Sequence, residues 1–166
     1  MDSLLAPITE AEVARLTGGD PRYEDLVIYD GLSWKLYLNE DQRYLGRAYV
    51  WLKSCHRDFH QLGDLNPDDL EELMRILRTY HATVRDLWNA DTLNYGWLGN
   101  EYHMHRGHGH MHVVPRYAAP PEFGGREYPD ERWGQDYKPY DKLKLPRNEL
   151  LSITDELKER FIEYMP

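Results

Sequence analysis

The sequence predicts an α+β domain built around an antiparallel sheet. Short runs of β-forming residues follow one another with connections too brief for crossover helices, and one long, well-capped helical segment divides them. A second helical segment closes the chain. The alternation of strand and helix that marks a doubly wound sheet is absent, and so is a Gly-rich phosphate loop of the Walker type. At 166 residues the simplest organisation is one domain, large enough to bury a real core.

The elements follow in order. Thr9 to Gly19 reads as a short helix, with Thr9 as N-cap, Glu12 as its capping-box partner and Gly18-Gly19 as the stop. Leu26 to Tyr29 and Trp34 to Leu38 are β-forming runs separated by the turn pair Asp30-Gly31, which predicts a hairpin. Leu45 to Lys53 is the third strand. Asn66-Pro67-Asp68-Asp69 opens the clearest helix, with a good N-cap, a proline suited to the first helical position and two acids facing the dipole. Leu70, Leu73, Met74, Leu77, Val84, Leu87 and Trp88 give it an apolar face as far as about Asn89. Leu93 to Leu98 is a fourth strand, and the histidine-rich segment ending at Tyr117 a fifth. Residues 118 to 146, rich in Pro, Gly, Tyr and Asp, read as a long and mostly irregular excursion over the domain. Pro146 ends it, Asn148 is the expected cap of a terminal helix over 147 to 164, and Leu150, Leu151, Leu157, Phe161 and Ile162 are its apolar positions.

Composition narrows the function. A net charge of −9 argues against a protein that coats nucleic acid, though not against a small phosphorylated ligand in a locally basic pocket fed by Arg43, Arg47 and Lys53. Cys55 is the one cysteine, so an intrachain disulfide and a four-thiolate zinc site are excluded; it reads as a small buried hydrophobe. No stretch reaches the ~20 apolar residues of a membrane span. The first seven residues lack the basic and long apolar regions of a signal peptide, and the expected location is cytoplasmic.

Five of the eight histidines lie between positions 103 and 112. His108, His110 and His112 alternate with Gly109 and Met111 and run into Val113-Val114-Pro115. On a strand this puts three imidazoles on one face, roughly 7 Å apart. Three readings compete. The first is a chance row of surface histidines, which a regular run of three makes the weakest. The second is a metal site, since His-x-His on a strand can supply two ligands; a trio spread over roughly 14 Å cannot meet one ion. The third is phosphoryl chemistry: the middle ring attacks phosphorus while its neighbours orient it, protonate the leaving group and bind phosphate oxygens. That needs rings in a row, as the spacing provides.

His108-Gly109-His110-Met111-His112-Val113-Val114 resembles the histidine-triad motif, His-φ-His-φ-His-φ-φ, and Pro115-Arg116-Tyr117 is a frequent continuation of it. The resemblance extends over about residues 25 to 117. Asn39, seven residues before Gly46, resembles the family's nucleotide-contacting Asn; Leu52 to His56 resembles its Pro-Lys-x-His segment; and Asn94 to Asn100 falls in the family's order. The resemblance implies a five-stranded antiparallel sheet with two main helices, usually a homodimer, cleaving nucleotidyl–phosphate or nucleotidyl–amine bonds without a metal or other cofactor. It implies His110 as nucleophile on the α-phosphorus of a purine nucleotide, forming a phosphohistidine-type intermediate. The His108 carbonyl would set the tautomer of His110, His112 would bond phosphate oxygens or the leaving group, and His56 would support the strand. Asn39 would meet the ribose, with Asn94 and Asn100 as further ribose or phosphate contacts. Arg116 is open to two readings, a phosphate contact or a structural ion pair.

Three departures from the family pattern stand out. Seven residues, Glu101 to Gly107, intervene between the Leu-Gly-Asn stretch and the first histidine of the triad, where about three are usual. His103, His105 and Arg106 within them read as a rim loop, with Arg106 within reach of a polyphosphate tail, or else as part of a metal cluster with His108. Gly109 stands where an apolar side chain is usual. The tail from 118 onward is shared with relatives near the diadenosine tetraphosphate hydrolases. The expected activity is hydrolysis of a dinucleoside polyphosphate or phosphoramidate; the alternatives are nucleotidyl transfer, or metal or nucleotide binding without turnover. His60 and His81 have no motif and read as packing or surface residues.

Overall fold

A computed structural model describes residues 23–53, 61–99, 110–137 and 142–166. The expected helix at Thr9 to Gly19 lies outside them. Five strands, β1 (Val27–Asp30), β2 (Trp34–Leu38), β3 (Ala48–Leu52), β4 (Thr92–Trp97) and β5 (His110–Arg116), form one sheet in the order β1-β2-β3-β5-β4. Every pairing is antiparallel. Two long helices, α1 (Pro67–Trp88) and α2 (Arg147–Tyr164), pack against it, and the α+β class predicted from the order of elements holds. No helix among the described residues is long and apolar enough to cross a membrane.

The alternation along each strand sorts the residues into two faces. Trp34, Leu36 and Leu38 on β2, Ala48, Val50 and Leu52 on β3, and Met111 and Val113 on β5 are buried in one cluster with Leu73, Ile76, Tyr80 and Val84 of α1 and Ile153, Leu157 and Phe161 of α2. The opposite face carries the histidines. Because side chains on a strand alternate strictly, burying the first set commits His110 and His112 to the other side.

The predicted β1–β2 hairpin forms, and a helix residue secures its turn. The Glu72 carboxylate on α1 accepts hydrogen bonds from the backbone N–H groups of Leu32 and Ser33 at 2.7 and 2.8 Å. It passes so close to Gly31 that a Cβ there would lie 2.0 Å from Oε1, so the turn needs glycine for space. Helix α1 begins as predicted: the Asn66 side chain accepts from the Asp69 N–H at 2.8 Å, Pro67 takes the first position, and Asn89 closes the helix in the left-handed conformation. Its buried stripe runs through Leu73, Ile76, Leu77, Tyr80, Val84 and Trp88. Leu70 and Met74, expected in the core, are 42% and 41% exposed, because one lies in the first turn and the other at the edge of the stripe.

Helix α2 starts two residues earlier than a cap at Asn148 would place it. Pro146 is the N-cap, its φ of −56° already suited to the turn, and its carbonyl accepts from Glu149 and Leu150. Ile153 and Thr154 take the core positions expected of Leu151 and Ile162; Ile162 is 67% exposed. The excursion is more ordered than its composition suggests. It contains a small hairpin, β6 (Glu122–Phe123) and β7 (Arg126–Glu127), turned by Gly124 and Gly125 at positive φ. It buries Tyr128, and it returns to the sheet where Leu143 exchanges hydrogen bonds with Asp41 and Gln42.

Candidate functional site

Three strands build the histidine face. In register, Trp51 of β3 stands opposite His110 of β5, Tyr49 opposite His112, and Gly96 of β4 opposite His112 from the other side. The His110 and His112 ring centroids are 5.3 Å apart, closer than the ~7 Å spacing of their backbone positions because the rings lean together. Trp51 stacks on His110 at 5.6 Å and 26°. Tyr49 sits edge-on to both, 5.5 Å from His110 and 4.8 Å from His112. Both histidines are half-buried as residues, and both ring nitrogens of His112 are buried. Aromatic walls on two sides fix the orientation of the rings.

Beyond Tyr49 lies a buried polar corner. Asn39 is 5% exposed; its Oδ1 accepts from the Asp41 N–H at 2.8 Å, and its backbone N–H bonds the Arg47 carbonyl. Its Nδ2 is buried on the side of Tyr49. Burial raises the pKa of the Tyr49 hydroxyl, opposed by the nearby Arg47 charge and the Asn39 amide. Arg47 is itself buried and paired with Asp41. Asn94 is half-buried on β4, opposite Val114 and two residues from Gly96, on the same face as the histidines. The structure therefore brings Asn39, Asn94, His110 and His112 onto one face. His108, His56 and Asn100 lie outside the described residues, as do Cys55, His60, His103, His105 and Arg106.

Arg116, on the same strand, shows the ion-pair geometry. Its Nε and Nη2 bond the Asp130 carboxylate at 2.6 and 3.0 Å. Nη1 bonds the Gln135 carbonyl, Nη2 also the Arg132 carbonyl, and the guanidinium lies 5.2 Å from the centre of the Tyr44 ring. The side chain is 4% exposed and Asp130 1%, so these partners take up the fork and hold the excursion against β5. The other expected sources of local positive charge are also paired: Arg43 with Glu131, Arg47 with Asp41 and Lys53 with Asp30. Among the described residues, no group of three or more His, Cys, Asp and Glu side chains is placed to hold a metal ion.

Two features of the site are missed by sequence reasoning. Tyr49 and Trp51 carried a signal, since both alternate outward on a strand next to the histidine strand, but only the register shows which histidine each one meets. Tyr137 carried none. Its hydroxyl comes down on Gly96 from the far end of the excursion.

No protein-family model and no curated protein matches the chain in sequence. Solved structures do match in shape. A hypothetical histidine triad nucleotide-binding protein from Sulfolobus tokodaii superposes with a TM-score of 0.62 at 16% identity, covering 91% of each chain. A histidine triad protein from Sinorhizobium meliloti gives 0.63 at 20% identity over 85% of this chain and 94% of that one. A zinc-bound histidine triad family protein from Mycobacterium smegmatis gives 0.59 at 18% identity over 92% and 93%. At these identities the likeness is one of fold, and this chain has the fold of the solved histidine-triad proteins.

Proposed function

We propose that this chain is a histidine-triad nucleotide hydrolase acting through His110. The observation that carries the reading is the pair His110 and His112, held 5.3 Å apart on one sheet face by Tyr49 and Trp51, in a chain whose sequence continues the alternation back to His108. The His110 imidazole attacks the α-phosphorus of a purine nucleotide conjugate, a dinucleoside polyphosphate or a phosphoramidate. The bond from phosphorus to the leaving oxygen or nitrogen breaks, and His112 donates a proton to the departing group. Water then attacks the nucleotidyl-histidine, the P–N bond breaks, and the nucleoside monophosphate leaves. His108 orients His110 and His56 supports the array. Asn39, buried beside Tyr49, contacts the ribose. Asn94 and Asn100 serve ribose or phosphate. If an acceptor other than water reaches the intermediate, the same site performs transfer.

The test is incubation with diadenosine tetraphosphate or an adenosine phosphoramidate after treatment with a chelator. AMP should appear, and His110→Asn should abolish its release while the unfolding midpoint stays put. A second reading, metal or nucleotide binding without turnover, takes its motive from the zinc-bound Mycobacterium smegmatis neighbour. Stoichiometric metal with no nucleotide cleaved would establish it and remove the hydrolase reading.

A further inference from the structure

The connection between β2 and β3 buries polar side chains behind Tyr49. Asn39, Asp41, Gln42 and Arg47 are each at most 6% exposed, and Asp41 ties the others of the histidine face together. Its N–H donates to Asn39 Oδ1 at 2.8 Å, and its carboxylate pairs with the Arg47 guanidinium. Oδ1 also accepts from the Leu143 N–H at 2.9 Å and the Arg43 N–H at 3.2 Å. The first contact fixes which way the Asn39 amide faces. With Oδ1 on Asp41, Nδ2 is left on the side of Tyr49 and donates to its phenol oxygen. Arg47 stands two residues before Tyr49, so strand alternation brings both to one face, and the Asp41 carboxylate holds its charge beside the same phenol. The ring so gripped is the one 4.8 Å from His112 and 5.5 Å from His110.

Packing alone does not call for such a corner. Apolar side chains could fill it without desolvating a charge, so a buried ion pair is weak evidence of a stabilising role. A polar network instead selects one arrangement of its members. Here the last member is Tyr49, whose ring, without a hold on its phenol end, is free to tilt against the two imidazoles. We propose that Asp41 is a positioning residue for the histidine pair: through Arg47 and Asn39 it fixes the Tyr49 phenol, and the Tyr49 ring sets the angle of His112 and His110. The effect on catalysis rests on the nucleotide reading given above; the positioning does not. Because the Leu143 N–H docks on the same carboxylate, the return of the excursion to the sheet is tied to the same geometry.

Asp41→Asn keeps the backbone N–H that holds Asn39 and removes the charge that holds Arg47. The expected result is a fall of about tenfold in kcat for AMP release, with KM and AMP affinity within about twofold of the wild type. In NMR spectra the imidazole resonances of His110 and His112 should move, while those of His81, on α1 across the sheet, stay in place. Tyr49→Phe keeps the ring and cuts its tether, so it should reproduce both effects with the ion pair intact. Adding Asp41→Asn to it should cause no further loss in kcat, because the two act along one path. Should Asp41→Asn fail to fold, Asp41→Asn/Arg47→Gln, which removes both charges, takes its place. Unmoved His110 and His112 resonances would overturn the proposal. So would a shift of all three histidines that tracks a lowered unfolding midpoint, which marks a structural role. A wild-type protein that binds AMP but releases none removes the hydrolase reading, and one that binds no AMP removes the nucleotide reading. In both cases the histidine resonances still decide the role of Asp41.

Discussion

Arg116 shows how much a single residue's meaning depends on its surroundings. Its place after the histidine alternation makes a phosphate contact chemically reasonable, and the sequence holds nothing against it. Asp130, fourteen residues further on in an excursion with no regular pattern, takes the guanidinium instead. Removing one partner of such a buried pair leaves the other charged and desolvated, which costs about 3–5 kcal/mol. Asp130→Asn should therefore lower the urea midpoint markedly, whereas an Arg116→Leu/Asp130→Leu double variant should recover much of the loss. Asp130→Asn with wild-type stability would show that the pair does not hold the excursion. His110 and His112, by contrast, were legible from the sequence alone, because period-two alternation beside apolar residues decides which side of a sheet they face.

At the scale of elements, caps and turns were legible where local chemistry governs them. Asn66, Pro67 and Asp30-Gly31 act within a few residues of chain, and each does what its type predicts. Pro146 displaced Asn148 as the start of α2 because a proline at that φ already terminates the preceding segment. The ion pairs of Asp30 with Lys35 and Lys53 offer a pH test. Partial burial raises the pKa of the Asp30 carboxyl, but the Lys53 hydrogen bond and the Lys35 charge outweigh that and hold it below the ordinary 3.8. A depressed pKa in the folded protein contributes stability above the ordinary carboxylate value, and that stability is lost as pH falls through the folded value. Asp30→Asn should thus be less stable than the wild type at neutral pH, by under ~1 kcal/mol for so exposed a group. The gap should close in acid. A gap that widened below the ordinary carboxylate range would contradict the assignment.

Across the whole molecule, the C-terminal segment belongs to the core. Read from sequence, residues 118 to 166 were a tail added to a complete motif. In the structure Leu157 and Phe161 are fully buried in the same cluster as Leu36 and Val50, and the Phe161 ring lies 5.2 Å from that of Tyr29. Phe161→Ala should cost about 3–5 kcal/mol, measured by denaturant unfolding. A loss below ~1 kcal/mol would mean that the domain stands without its terminal helix.

The α+β class, the order of the elements and the common face of His110 and His112 follow from local pattern along the chain. Periodicity and caps are properties of neighbouring residues, and a short stretch of chain expresses them. That Arg116 is an anchor, that Glu72 secures a distant turn and that Tyr137 reaches Gly96 emerges only once the chain is packed. Those contacts join residues separated by between 14 and 41 positions, and what selects them is the packing of the excursion and of α1 against the sheet rather than any local pattern.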